Sequence, residues 1–250
     1  MRPIDSSPIP QVNGVNKVYT DYQEWREDLS NAYGQHCVFC NDRLQSRFEV
    51  EHLVAQSLGI VPPLAWNNLF LACGPCNLAK SAKVATAATH YLPNANNTHL
   101  IFIYNIRKHR KNGKYACIPV FNPALNANQQ TKSINTIAFT ELNRIEQTPL
   151  RQRKMTDVRW LNRYNAYQVT TTQRTLWNLM NTPQQRAAYL AAIPPLVHKT
   201  GFFSLWMNAF VGVTDVLRVI VNCLPNTSAA SFDANFNPIH RNPADPVDTI

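Results

Sequence analysis

The sequence predicts an α+β fold: a strand–loop–strand–helix unit, then a β-hairpin, then a mostly α-helical C-terminal region. Three observations carry this prediction. Two Cys-x-x-Cys pairs enclose short apolar runs, an Asn-Gly pair separates two runs rich in β-branched and aromatic residues, and apolar residues recur at helical spacing from about residue 134 onward. We therefore expect one region over residues 1–125, which begins with an irregular arm, and a second over residues 126–250.

The individual elements follow from local patterns. Helical spacing predicts a helix over Tyr22–Tyr33 that ends at Gly34, and a second helix over Lys80–His90. Strands are predicted over Leu100–Ile106 and Tyr115–Phe121. The turn between these strands is basic because it contains Arg107, Lys108, Arg110, Lys111 and Lys114.

Charge indicates a polyanionic partner. The chain has 24 Lys and Arg against 15 Asp and Glu, a net charge of +9. From His52 to Thr140 there is no acidic residue in 89 positions, where the overall frequency predicts about five, while eight basic residues fall there. This favours an electropositive surface, although charge alone does not distinguish nucleic acid from an acidic membrane.

Two features bear on location. The N-terminus, Met-Arg-Pro-Ile-Asp, lacks the apolar segment of a signal peptide. The apolar stretch Phe202–Leu224 contains polar residues on one helical face, which predicts an amphipathic, partly buried helix rather than a membrane span. We therefore expect a cytoplasmic protein with no membrane partner.

Four cysteines form two pairs that are separated by 32 residues. Two such pairs can place four thiolates tetrahedrally around a structural Zn²⁺ ion. Four buried free thiols, or a redox dithiol in the Cys-Gly-Pro-Cys sequence, are the alternatives, but a redox motif would leave the first pair unexplained. The zinc ligands are therefore predicted to be Cys37, Cys40, Cys73 and Cys76. The other two cysteines are expected to be buried thiols: Cys117 and Cys223.

The segment between the pairs contains two strand-like runs, Phe48–Val54 and Trp66–Ala72, and a helix is predicted to begin at Asn77. The resulting pattern, CxxC…EH…NL…CxxCNxxK, resembles the HNH, or ββα-metal, nuclease family in its zinc-containing form. The resemblance implies a zinc-stapled ββα-metal module within residues 1–125, and a C-terminal region at 126–250 that binds a partner or the substrate.

The resemblance also implies roles for individual residues. His52 stands at the position of the general base, and Asn68 at that of the residue that braces the loop beside it. Glu51 and Asn77 stand at the positions that ligate a catalytic divalent metal. Asn77 replaces the third motif histidine, and its amide oxygen suits Mg²⁺ or Mn²⁺ better than a soft metal.

These residue types also suit phosphodiester hydrolysis by themselves, because a histidine near neutral pKa can take a proton from water. We expect nucleic-acid contacts from Lys80 and Lys83, which can grip flanking phosphates, and from the basic turn with Arg107, Lys108, Arg110 and Lys111. Each lysine by itself is more often an ordinary solvated surface residue. The basic stretch Arg144–Arg163 is either a solvated helix face or a nucleic-acid or partner surface.

Beyond this module the chain is similar to the HNH proteins of Septu-type and retron-associated anti-phage systems, often called PtuB. The outer similarity lies in loose patterns at Thr136–Arg144 and Leu224–Asp233. It implies a toxic nuclease in the bacterial cytoplasm, held by an ABC-type ATPase and in some systems by a reverse transcriptase with its DNA–RNA product. The substrate, DNA or an RNA such as tRNA, stays open.

Two other readings stay open. The module can be a non-catalytic zinc finger that binds nucleic acid or a protein, or the chain can be a free-standing homing or phage HNH endonuclease. In the helical region, an apolar stretch with Trp206, Phe210 and Val213 is either a partner-docking surface or part of an internal core.

Overall fold

The computed structural model describes residues 1–45, 48–108, 113–145 and 157–241 and has the α+β architecture that the sequence predicts. Three two-stranded antiparallel sheets lie within these residues, together with seven α-helices. The strands are β1 Gln11–Val12, β2 Val15–Asn16, β3 Phe48–His52, β4 Leu69–Cys73, β5 Phe102–Lys108 and β6 Tyr115–Phe121. The helices are α1 Arg26–Tyr33, α2 Gly74–Lys80, α3 Ala127–Phe139, α4 Arg159–Leu179, α5 Pro183–Thr200, α6 Phe203–Ala209 and α7 Thr214–Cys223.

Strands β3 and β4 and helix α2 form the predicted strand–loop–strand–helix unit. The strands pair antiparallel, with Phe48 opposite Cys73 at one end and His52 opposite Leu69 at the other. Helix α2 follows β4 without a loop and packs against both strands. Leu69, Phe70, Leu71 and Ala72 are all buried, as expected for a strand that is covered on both faces.

The predicted helix over Lys80–His90 is wrong. Helix α2 instead ends at Lys80, because Ser81 has a φ of 48° and leaves the right-handed helical region. Only turns follow it as far as His90. The alanines of this segment favour a helix locally, but backbone geometry at its start ends the helix before them.

Two other elements differ in detail. The segment Tyr22–Tyr33 is helical, but its first turn, Tyr22–Trp25, is a 3₁₀-helix that precedes α1. The single helix predicted over Phe202–Leu224 is divided into α6 and α7 by a turn that contains Gly212 with a φ of 77°. Glycine adopts this left-handed conformation without steric cost, so it interrupts the amphipathic pattern here.

The buried side chains form two large cores. The first spans the arm, α1, the β3–β4 unit and the end of α3, with Trp25, Trp66, Phe70 and Phe139 at its centre. It thus includes residues on both sides of position 125, where we placed a domain boundary. The second core lies among the C-terminal helices α4–α7.

Trp206 and Phe210 are fully buried in this second core, and Val213 packs against it. Of the two readings of this stretch, an internal core is therefore confirmed. In the part of the chain that the structure describes, no helix combines the length and apolar character needed to cross a bilayer.

Candidate functional site

The four predicted zinc ligands converge at one end of the β3–β4 ladder. Their Sγ atoms lie within 4.8 Å of one another, and the Sγ atoms of Cys40 and Cys73 are 3.7 Å apart. A tetrahedral zinc site with Zn–S bonds of about 2.3 Å requires sulfur separations of about 3.8 Å. The four cysteines therefore fit one Zn²⁺ ion.

Local structure explains this convergence. In the first pair the backbone turns tightly, because the N–H of Asn41 donates to the carbonyl of Cys37 at 2.9 Å. In the second pair Cys73 ends β4 and Cys76 lies in the first turn of α2. Hydrogen bonds with the other thiols, Cys37 first, raise the pKa of Cys73 well above its usual value. Zinc binding must therefore release protons from this cluster.

A buried guanidinium from the C-terminal region contacts the cluster. Arg159 Nη1 donates to Cys76 Sγ at 2.9 Å and to the carbonyl of Thr140 at 2.9 Å. The same group is paired with the buried carboxylate of Asp157, with Arg159 Nη2 2.6 Å from Asp157 Oδ2. A positive group beside the thiolates offsets part of their negative charge, so Arg159 belongs to the surroundings that tune the metal.

The predicted general base lies at the opposite end of the ladder. His52 ends β3 and is 8% exposed, and its ring packs edge-on against Tyr22 with the centroids 4.8 Å apart. Nε2 lies 2.8 Å from the carbonyl oxygen of Pro63. A carbonyl only accepts hydrogen bonds, so Nε2 carries the proton and Nδ1 of the neutral ring keeps a lone pair.

Asn68 holds the backbone that follows His52. Its Oδ1 accepts from the N–H of Val54 at 2.8 Å, and its Nδ2 donates to the carbonyl of Val54 at 3.0 Å. The carbonyl of Asn68 also accepts from the N–H of Leu53 at 2.9 Å. Three hydrogen bonds thus fix the two residues after His52.

The two predicted cation ligands each have another partner. Glu51 and Glu49 lie two positions apart on β3 and so share a face, which is covered by α2. Glu51 forms a buried ion pair with Lys80, and the amide Nδ2 of Asn77 donates to Glu49. Burial raises the pKa of Glu51, and the ammonium of Lys80 opposes that shift.

Glu51 and Asn77 offer oxygen donors, the type that hard divalent cations prefer. The donor set therefore suits Mg²⁺ or Mn²⁺, and an ion bound to Glu51 would compete with Lys80 for its carboxylate. Among the residues that the structure describes, only the four cysteines bring three or more His, Cys, Asp or Glu ligand atoms together at metal-binding separations.

The structure changes the assignment of Lys80 as a surface phosphate contact. Its side chain is 2% exposed and its charge is paired with Glu51, so it does not face solvent. Lys83 is more exposed, but its Nζ donates to the carbonyls of Ala138 and Phe139 at the end of α3. Arg107 and Lys108 are exposed on β5, whereas Arg110 and Lys111, like Arg151, Arg153 and Lys154, lie outside the described residues.

Three contributors were not among the predicted site residues: Glu49, Pro63 and Arg159. Glu49 carried a usable signal, because it shares a strand face with Glu51. Pro63 acts only through its backbone carbonyl, and Arg159 is 83 positions from its partner Cys76. No local pattern in the sequence indicates either contact.

Comparison with protein families agrees with this geometry. Residues 37–83 match the family model described as HNH endonuclease. These residues are an HNH endonuclease domain. The matched span runs from the first zinc-ligand candidate to Lys83, so it contains every residue of the predicted metal and catalytic sets. Searches of curated proteins and of solved structures returned no match.

Proposed function

We propose that this protein is an endonuclease that hydrolyses phosphodiester bonds of nucleic acid, with His52 as the general base. The observation that carries the proposal is the hydrogen bond from His52 Nε2 to the carbonyl of Pro63. It fixes the tautomer and the ring orientation, so that Nδ1 remains as the proton acceptor. The HNH match supports the reaction class.

The proposed reaction is attack of water on phosphorus. His52 Nδ1 takes the proton of the attacking water, the new P–O bond forms, and the bond to the leaving sugar oxygen breaks. Asn68 keeps the loop after His52 in place while this occurs. A Mg²⁺ or Mn²⁺ ion held by Glu51 and Asn77 would neutralise charge that develops on the phosphoryl group. Exchange of Lys80 for that ion is part of the proposal.

We also propose that the nuclease acts in anti-phage defence, together with an ABC-type ATPase and, in retron-encoded systems, a reverse transcriptase with its DNA–RNA product. This step rests on the sequence similarity to PtuB-like proteins beyond the HNH domain. Its test is a plaque assay with the complete gene cluster. Protection should require His52, and equal protection by a His52→Ala cluster would contradict the proposal.

The biochemical test is cleavage of labelled duplex DNA, single-stranded DNA and tRNA with Mg²⁺ or Mn²⁺, by the chain alone and with its partner. His52→Ala should lower the rate by about 10²–10⁴-fold, the usual contribution of a general base. Zinc content and circular dichroism should stay unchanged. His240→Ala, at an exposed histidine, is the matched control. A fully active His52→Ala protein would contradict the mechanism.

A second function is favoured by one observation. The predicted cation ligands already have protein partners, because Glu51 is paired with Lys80 and Asn77 donates to Glu49. The second candidate is therefore a non-catalytic, zinc-dependent module that binds nucleic acid. Wild-type protein that binds nucleic acid but cuts none of these substrates under any of the metal conditions would support it.

A further inference from the structure

Three tyrosine rings form a continuous row on the surface where β6 meets α4. The centroids of Tyr115 and Tyr164 are 5.6 Å apart with planes inclined by 22°, and those of Tyr164 and Tyr167 are 6.4 Å apart with planes inclined by 25°. Tyr164 is therefore the middle of a stack. The two end residues are exposed, Tyr115 by 47% and Tyr167 by 37%.

The fold produces this row from two elements. Tyr164 and Tyr167 are three positions apart on α4 and thus lie on one helical face. Helix α4 packs along β6, whose first residue is Tyr115. Each end ring has one face toward Tyr164, so its opposite face is the one on which a further planar group can stack.

The row differs from the other tyrosines that the structure places in cores. Tyr33, Tyr91 and Tyr189 are each less than 9% exposed and pack among apolar side chains. Burial of apolar area explains those three. It does not explain two large, exposed rings that stack in line at the edge of the structure.

The elements that carry the row have only basic charged residues. Strands β5 and β6 and helix α4 contain no Asp or Glu, and no acidic residue occurs from Val158 to Thr214. Tyr115 pairs across the hairpin with Lys108, so these two side chains lie on one face, whereas Arg107 pairs with Ala116 and lies on the opposite face. Both basic residues are exposed. Aromatic faces beside cationic side chains form the usual platform for unpaired nucleotides.

We propose that Tyr115, Tyr164 and Tyr167, together with Lys108, form a binding site for single-stranded nucleic acid. Bases stack on the outer faces of Tyr115 and Tyr167, and the side chain of Lys108 pairs with a phosphate. A duplex offers no free base faces, so the ligand is an unpaired segment. As a statement about the substrate, this inference rests on the proposed nuclease function, but the binding itself requires no cleavage.

The test is fluorescence anisotropy with labelled oligothymidylate, oligoriboadenylate and a mixed-sequence duplex, in a full-length His52→Ala background that prevents cutting. Tyr115→Ala and Tyr167→Ala should each weaken single-strand binding by about tenfold or more, since one base–aromatic stack contributes about 1–3 kcal/mol. Tyr167→Phe should bind as the parent does. Leu179→Ala, an exposed apolar residue on the same helix, is the control.

Salt dependence separates the charged from the aromatic part. Lys108→Ala should lower the slope of log affinity against log salt by about one, whereas Tyr167→Ala should leave it unchanged. Comparison of oligothymidylate with oligoriboadenylate shows whether the site binds single-stranded DNA, single-stranded RNA or both.

Unchanged binding in both tyrosine variants would overturn the site, and so would equal losses on the duplex or no binding of any probe by the parent. These outcomes can be distinguished from failure of the nuclease proposal by comparing binding with cleavage. If only catalysis is wrongly assigned, protein with His52 intact does not cut, yet binding still depends on the tyrosines. If only the tyrosine site is wrong, protein with His52 intact cuts nucleic acid, and the tyrosine variants bind and cut as well as the protein without these substitutions.

Discussion

The two ends of the β3–β4 ladder differ in their chemical groups: one end carries the predicted zinc ligands and the other carries the predicted general base. At one end Cys73 lies opposite Phe48, and four thiols converge. At the other end, four residue pairs and about 14 Å away at 3.4 Å per residue, His52 is oriented by Pro63. Its neighbour Glu51 is paired with Lys80, whereas the amide nitrogen of Asn77 donates to Glu49, which pairs with Ala72 nearer the zinc end.

This difference shows two ways in which the HNH domain can balance buried negative charge: with a bound metal ion or with a lysine side chain. Once ionised, the four thiolates at the zinc end repel one another and need a cation to lie together. At the His52 end the ammonium of Lys80 already balances the carboxylate of Glu51, so an ion that binds Glu51 competes with Lys80. We expect zinc to determine the folding of the domain, and the second site to affect mainly activity.

The largest expected effect follows from loss of a zinc ligand. Cys76→Ser should eliminate bound zinc and lower the stability of the HNH domain by several kcal/mol, because metal-binding energy in such sites is folding energy. At about 2–4 °C per kcal/mol the melting temperature should fall by more than about 10 °C. Metal analysis and calorimetry measure the two effects.

The control for this prediction is Cys223→Ser, since the Sγ of Cys223 bonds only the nearby carbonyl of Ile220. That variant should keep its zinc. A Cys76→Ser protein with full zinc content and normal melting would show that the four thiols do not form the site and would remove the contrast between the two ends.

A smaller effect is expected from the guanidinium that contacts the cluster. Arg159→Met should weaken zinc binding by about 10–100-fold, the usual consequence of removing a partner of a metal ligand. It should also destabilise the fold by about 3–5 kcal/mol, because Asp157 is left buried without its counter-charge. A chromophoric chelator measures zinc release, and urea unfolding measures stability.

A double variant distinguishes the two effects. Asp157→Leu with Arg159→Met removes both buried charges, so much of the stability should return while zinc stays weakly bound. Arg218→Met, at an exposed ion pair, should change neither quantity. Recovery of zinc affinity together with stability would show that Arg159 supports the fold and not the metal.

The smallest effect concerns the other end of the ladder. Lys80→Met should increase Mn²⁺ affinity, measured by electron paramagnetic resonance, by about tenfold, which corresponds to about 1.4 kcal/mol. The reason is that Mn²⁺ no longer displaces an ammonium from Glu51. Lys83→Met, three residues further along the chain and more exposed, should leave the affinity unchanged. Equal or weaker Mn²⁺ binding by Lys80→Met would show that Lys80 does not compete for this site.

Much of the fold was predictable because its signals are local. The Asn112-Gly113 pair and the runs of β-branched and aromatic residues around it predicted β5 and β6 to within two residues, with Tyr115–Phe121 matched at both ends. The strand, strand and helix order of the HNH domain followed from apolar runs and paired cysteines. The helix over Lys80–His90 failed because alanine content reports propensity, whereas the left-handed turn at Ser81 is set by the surrounding structure.

The sequence by itself determined which chemical groups are present and which of them lie close along the chain: the cysteine pairs, the Glu51–His52 dipeptide and the acid-free segments. Only the tertiary structure decided which of these groups meet. It joined Glu51 to Lys80, Asn77 to Glu49 and Arg159 to Cys76, and it aligned Tyr115 with two residues of α4. The physical reason is that a buried charge requires a partner, and that partner is chosen by packing between distant elements, which no local pattern in the chain records.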